Sequence, residues 1–292
     1  MPIDIQTKVA TIVVVVLENR SFDHMLGYLS LTNGANRSDI DGITSLRRNA
    51  YINISAGDTY RPFLTDDGPL SADLPHDRDL VDLQLRWPNP GPGNPITMQG
   101  FVEAYRQLIG TNRVPTKAEP MGLQDAPLMM DYFAKRHMVC NRWFSPLPTD
   151  THPNRFMLLS GFTTMDKTVV EPMAQPLVYD WLTTNNVKGR VYRQGFPFEM
   201  LFPRMWDDIL DEDKFRSFRR LPADVRDEAD ATFPQVIFIE PSFGDAPINF
   251  GYPPNDDHPP LPIGPGEHFL RDVYMASGQR RTVGEDRPDR YL

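Results

Sequence analysis

The first sustained apolar run, residues 11–17 (TIVVVVL), is unbroken and β-branched. A strand buried on both faces at the centre of a parallel sheet has this pattern. It stops at a polar step, Glu18-Asn19-Arg20-Ser21, after which Phe22, Met25, Leu26 and Leu29 recur at helical spacing behind Ser21, a favourable N-cap. The pattern predicts strand, short loop and helix in succession. Glu18 and Asn19 then lie at the carboxyl end of the strand, where ligands of α/β sheets gather. Residues 31–96 are polar and rich in Gly, Pro, Asn and Asp, and predict long excursions with little regular structure. A helix is predicted over 98–109, with Phe101, Val102, Tyr105, Leu108 and Ile109 on one face and Gly110 ending it. Further helices are predicted over 128–135, 154–160, 177–184 and 267–275. Strands are predicted over 137–144, 190–193 and 235–240, the last (QVIFIE) again ending in an acid. Strands alternating with helices imply an α/β fold with a mostly parallel sheet. No repeat or linker divides the chain.

Composition narrows this picture. The 29 prolines among 292 residues exceed the usual share of about 5% and favour long loops over a helical bundle. A net charge of -9 speaks against a broad nucleic-acid surface. The single cysteine, Cys140, excludes an internal disulfide and a Cys-rich zinc site; beside Met138 and Val139 it reads as a buried small hydrophobe. No run approaches the ~20 apolar residues of a membrane helix, and residues 12–17 are too short for a signal core. The chain as given reads as soluble and cytoplasmic, without integral membrane contact.

Three segments carry candidate chemistry. Glu18-Asn19 sets a carboxylate beside an amide oxygen, a pairing that suits a hard divalent cation, or a plain loop acid and a capping amide. Thr149-Asp150-Thr151-His152-Pro153-Asn154-Arg155 places hydroxyls before a predicted helix N-terminus. Unpaired backbone N–H groups there favour an anion such as phosphate, and the same residues also make an ordinary cap. Asn255-Asp256-Asp257-His258-Pro259 gathers two acids and a histidine in a proline-rich loop, as a site or as a turn. His76-Asp77 is a fourth candidate; His24, His137 and His268 fall on predicted helices or strands and read as structural.

These segments combine through a family resemblance. ENRSFDHMLGYL (18–29), LPHD (74–77), MQGFVEAY (98–105), CNRWFSPLPTDTHPNRFMLLSG (140–161), VYRQGFPF (191–198), VIFIEPSF (236–243), NDDHPP (255–260) and GEHFLRDVY (266–274) follow in order. Together they resemble the phosphoesterase family of non-specific phospholipases C and related acid phosphatases. The resemblance implies an alkaline-phosphatase-like α/β fold, a central mostly parallel sheet flanked by helices. It also implies a divalent metal cofactor and hydrolysis of phosphate esters or phospholipids. Carried over by position, Glu18, Asn19 and Thr151 would be metal ligands, with Thr151 also the nucleophile. His258 and His76 would contact phosphoryl oxygens or protonate the leaving group, and His152, Asn154 and Asp257 would contact substrate. The family's sheet continues after the helix matching 267–275 into a strand with an Asp-Glu-His-Gly-Gly type motif. Here SGQRRTVGEDRPDRYL follows instead. The expectation is a domain over 1–276 that is the N-terminal part of the family fold, incomplete at the C-terminus, with a divergent tail over 277–292. A truncated homologue that at most binds phosphate esters is the alternative.

Overall fold

A computed structural model describes residues 9–66, 68–169, 173–246 and 249–278. In chain order the described elements are β1 (Ile12–Val15), α1 (Phe22–Leu26), β2 (Asn53–Ser55), β3 (Asp58–Tyr60), β4 (Phe63–Thr65), α2 (Arg78–Arg86), α3 (Phe101–Leu108), β5 (Gly122–Gln124), α4 (Leu128–Arg136), α5 (Thr151–Ser160), α6 (Val178–Thr184), β6 (Gly189–Arg193), α7 (Trp206–Ile209), β7 (Phe215–Ser217), α8 (Leu221–Asp227), β8 (Val236–Glu240) and α9 (Gly264–Ser277). The chain forms two compact units. One comprises Met1–Leu17, Val170–Asp256 and His268–Leu292; the other comprises Glu18–Val169 and Asp257–Glu267.

The first unit holds a four-stranded sheet in the order β1-β8-β6-β7, parallel throughout. Alternation along β8 explains its two coverings. Ile237 and Ile239 enter a core with Leu221 and Val225 of α8 and Phe269 and Val273 of α9. Phe238, one residue out of phase, meets Tyr179 of α6 edge-on at 5.2 Å. Helices therefore flank the sheet on both faces, and the α/β expectation holds. The place of β1 differs from the expectation. Among the described residues it pairs with β8 alone, so it lies at an edge, and Ile12 is 55% exposed. A β-branched run specifies an extended backbone but does not by itself say how many neighbours the strand has.

The second unit is built from short elements. Residues 31–96, expected to be nearly irregular, contain a hairpin and a helix. β2 and β3 pair antiparallel around Ala56 and Gly57, both at positive φ, the geometry of a tight hairpin turn. Asp77 caps α2 by accepting from the Leu80 N–H at 3.1 Å. The helix expected from residue 98 begins at Phe101, because Met98 is left-handed and Gly100 is the cap. Asn53 Oδ1 accepts there from the N–H groups of Phe101 (2.6 Å) and Val102 (3.3 Å). The N-terminus of α4 is closed by the buried Glu267 carboxylate, which accepts from the Met129 and Met130 N–H groups.

Residues 137–144 form no strand. They run irregularly from the end of α4, with Met138, Trp143 and Phe144 at 90%, 81% and 76% exposure. Cys140 is exposed too, which corrects its reading as a buried hydrophobe. The apolar run there is only three residues long before Asn141-Arg142 interrupts it, and Pro146 and Pro148 remove backbone donors beyond. Residues 279–292, most of the divergent tail expected over 277–292, lie outside the described residues.

Candidate active site

The site residues named from sequence fall in the second unit, on four stretches of chain. Thr151 is the first residue of α5 rather than part of a preceding loop. The helix starts three residues earlier than its apolar pattern suggests, because Pro153 sits in the first turn, where no N–H is needed. Gly161, left-handed at φ 70°, closes the other end. Asn154 sets the approach to Thr151. Its Oδ1 accepts from the Leu147 N–H at 3.0 Å, and its Nδ2 lies 2.8–3.1 Å from the carbonyls of Leu147, Thr149 and Asp150. That amide is committed to the loop backbone, so Asn154 positions the loop.

The two threonines point to different partners. Thr149 Oγ1 donates to the Asp166 carbonyl at 2.6 Å and is buried. Thr151 Oγ1 donates to Glu18 Oε2 at 3.4 Å. The other Glu18 oxygen lies 3.7 Å from Nε of the buried Arg155, one turn along α5. Glu18 thus meets a hydroxyl and a guanidinium from a single helix, which explains the four-residue spacing of Thr151 and Arg155.

Asn19, at φ 53°, sends its amide toward two histidines. Nδ2 lies 2.9 Å from His76 Nδ1 and 3.4 Å from His258 Nε2. The two imidazoles meet edge to face at 5.2 Å. His258 Nδ1 donates to the Pro259 carbonyl at 2.6 Å, and His76 Nδ1 lies 2.7 Å from the Leu74 carbonyl. The Pro259 carbonyl is a pure acceptor, so His258 Nδ1 carries its hydrogen and its Nε2 faces the Asn19 amide, while His76 Nδ1 stands between a donor, Asn19 Nδ2, and an acceptor, the Leu74 carbonyl. Asp73, which sequence reasoning missed, stands on the Nδ1 side of both rings, 3.7 Å from His76 and 3.9 Å from His258. Its only sequence signal is its place three residues before His76 in DLPH.

Asp257 and His152 have other surroundings. Asp257 is 2% exposed, and its carboxylate packs against Gly266 so closely that a Cβ there would clash. That puts a negative charge beside the first turn of α9, where the helix end favours it. The Asp257 carbonyl accepts from Arg20 Nε at 2.8 Å, and Arg20 also reaches the Leu261 carbonyl at 2.7 Å. Burial pulls the Arg20 pKa down, and Asp257 and Asp73 push it back up. His152 Nδ1 lies 2.6 Å from the Val169 carbonyl. His24 is structural as expected: its Nε2 meets the Pro120 carbonyl at 3.0 Å, and burial lowers its pKa.

Two donor sets could hold a cation. Glu18 and Thr151 offer oxygens 3.4 Å apart, a separation that suits two ligands of one hard divalent ion. Arg155 beside them offsets the one negative charge. Asp73, His76 and His258 can bring one ligand atom each to within 4.8 Å of one another. A metal on the Asp73 side would have to take the Nδ1 atoms from their backbone carbonyls, so the first set fits better.

Comparison with known proteins identifies the family. The model of the Phosphoesterase family matches residues 9–282. The chain is 30% identical over 287 residues to non-specific phospholipase C1 of Arabidopsis thaliana, covering 94% of this chain and 50% of that one. It is 30% identical over 279 residues to non-specific phospholipase C6 of the same plant, covering 93% and 50%. The chain thus spans about half the length of the curated relatives it matches. With a family match over nearly all of its length, the chain belongs to the Phosphoesterase family.

Proposed function

We propose that this chain hydrolyses phosphate esters, phospholipids among them, with Thr151 as the nucleophile. The observation that carries this reading is the Thr151 hydroxyl, on the first residue of a ten-residue helix, donating to Glu18. The positive end of α5 favours a phosphoryl group at that place. Thr151 Oγ would form a bond to phosphorus as the bond from phosphorus to the leaving oxygen breaks. The nearest acceptor for the threonine proton is the Glu18 carboxylate. The leaving oxygen takes a proton from Nε2 of His258 or His76, in the ring's protonated form. Water then attacks the phosphothreonine, breaks its Oγ–P bond and restores the hydroxyl. A divalent cation held by Glu18 and Thr151, with Asn19 as the third ligand, would supply positive charge against the phosphoryl oxygens and acidity to the threonine.

Similarity to non-specific phospholipases C supports the phosphodiester branch of this reading. Turnover of p-nitrophenylphosphorylcholine and p-nitrophenyl phosphate by the purified chain, with manganese or calcium and with a chelator, tests it. Metal-dependent release of p-nitrophenol from either is expected. No release at any metal concentration would leave only a phosphate-ester binding role.

A further inference from the structure

The loop between α4 and α5 is the most exposed apolar segment among the described residues of its unit. Met138, Trp143 and Phe144 stand out of it, and Leu158, one turn beyond Asn154 on α5, is 42% exposed. Asn154 ties this loop at Leu147 to the first turn of α5, so its aromatic tip sits seven residues before the proposed nucleophile. Its charge is as uneven as its polarity. In a chain of net charge -9, residues 132–149 contain Lys135, Arg136 and Arg142 and no acid at all. Arg136 lies over the Tyr132 ring at 4.2 Å. Lys135 and Arg142 pair with Asp131 and Asp41 at or near the surface, contacts that hold little energy in water and yield to a stronger anionic partner. Aromatic and aliphatic side chains interleaved with cations are the chemistry of a lipid–water interface, where the rings enter the headgroup boundary and the cations meet phosphates.

We propose that residues 138–144 dock on an anionic phospholipid surface and bring Thr151 to it. A second copy of the chain is the poorer occupant, because a two-fold contact through this loop would set like charges against each other. The proposal deepens the hydrolase reading by naming the physical form of the substrate, and it rests on that reading for its purpose but not for its test.

The single cysteine supplies the probe. Cys140 is exposed inside the loop, so an environment-sensitive fluorophore attached there reports insertion without any engineered site. Vesicles of phosphatidylcholine containing phosphatidylglycerol should shift its emission to the blue and raise its intensity. Pure phosphatidylcholine should do so more weakly, and added salt should reduce the response. The double variant Trp143→Ser with Phe144→Ser should weaken partitioning by at least about tenfold, given the area that two aromatic rings bury. Trp181→Ser, at an exposed tryptophan of the other unit, should leave it unchanged, and circular dichroism checks that each variant is folded. Four results would overturn the proposal: no response to anionic vesicles, a response that the double variant leaves intact, equal response to neutral vesicles, or a label already in apolar surroundings before vesicles are added. The last would mean that protein covers the loop. Turnover of water-soluble p-nitrophenyl phosphate, measured without vesicles, tests the hydrolase reading separately.

Discussion

Asp73 illustrates how a single charge can act through two neighbours. It lies 3.7 and 3.9 Å from the Nδ1 atoms of His76 and His258 and is partly exposed, so solvent weakens its field but does not remove it. If either ring protonates the leaving oxygen, Asp73→Asn should loosen the orientation of both rings and lower turnover about tenfold on an alkyl phosphate. On a p-nitrophenyl ester, whose leaving group needs no proton, the effect should be small. Equal losses on both substrates would make Asp73 merely structural. Glu103 gives a separate test, of stability. It is buried, and hydrogen bonds from Arg106, then from Ser55 and Gln107, hold its pKa at about 2, below the ordinary 4.5. A depressed acid pKa contributes stability that is fully present above about pH 4.5 and is lost as pH falls toward about 2. Glu103→Gln should therefore cost roughly 2–4 kcal/mol at neutral pH, the cost of breaking a buried ionic cluster. Melting curves of wild type and variant should converge as pH drops from 4.5 to 2. A gap that stays constant across that range would contradict the assignment.

At the scale of elements, α5 and the loop before it behave as one piece. The side chain of Asn154 binds three backbone carbonyls and one N–H of residues 147–150, and no other side chain in the segment could replace it. Asn154→Leu keeps much of the volume but leaves those groups without their partner, at about 1–3 kcal/mol each for the buried ones. It should lower kcat by misplacing Thr151 while Asn154→Asp, which keeps only the acceptor for Leu147 N–H, recovers little. Unchanged turnover in the Leu variant would show that α5 places Thr151 without the loop.

The same scale shows what could be read from sequence. Ser21 and Gly110 began and ended helices where local chemistry demanded it, and QVIFIE became β8 with an acid at its end. Helix α2 and the β2–β3 hairpin escaped because their polar, turn-rich context hid two short patterns. The cap Asp77 and the Ala56-Gly57 turn were the available signals. The supposed strand over 137–144 failed because a few apolar residues in a row fit an exposed loop as well as a buried strand. Of the site, Glu18 and Thr151 came together, and Asn19 joined the histidines. These contacts span up to 239 residues of sequence, and no local pattern encodes such a distance. Asn154 binds loop backbone and Asp257 packs against Gly266, and a sequence does not separate polar residues that build a site from those that touch substrate.

At the scale of the whole molecule, two units share one chain, and the proposed chemistry lies in the unit that lacks the four-stranded sheet. Glu18 is the one acid the described structure places on Thr151, and Arg155 stands beside it. One carboxylate offset by a guanidinium is a weak anchor for a hard cation, whose affinity grows with ligand charge. Calorimetric titration of this chain with manganese should therefore give an affinity no tighter than about 10⁻⁴ M, in the range of weakly charged oxygen sites. A micromolar site would mean that further ligands lie elsewhere in these 292 residues.

The central claim is that Thr151, not Thr149, takes the phosphoryl group. The direct measurement is mass spectrometry of the protein quenched in acid during turnover of p-nitrophenyl phosphate with saturating metal. Phosphate should appear on Thr151 in the wild-type chain and in Thr149→Ala, and Thr151→Ala should carry none and should not turn over. Phosphate on Thr149, or undiminished turnover by Thr151→Ala, would contradict the account.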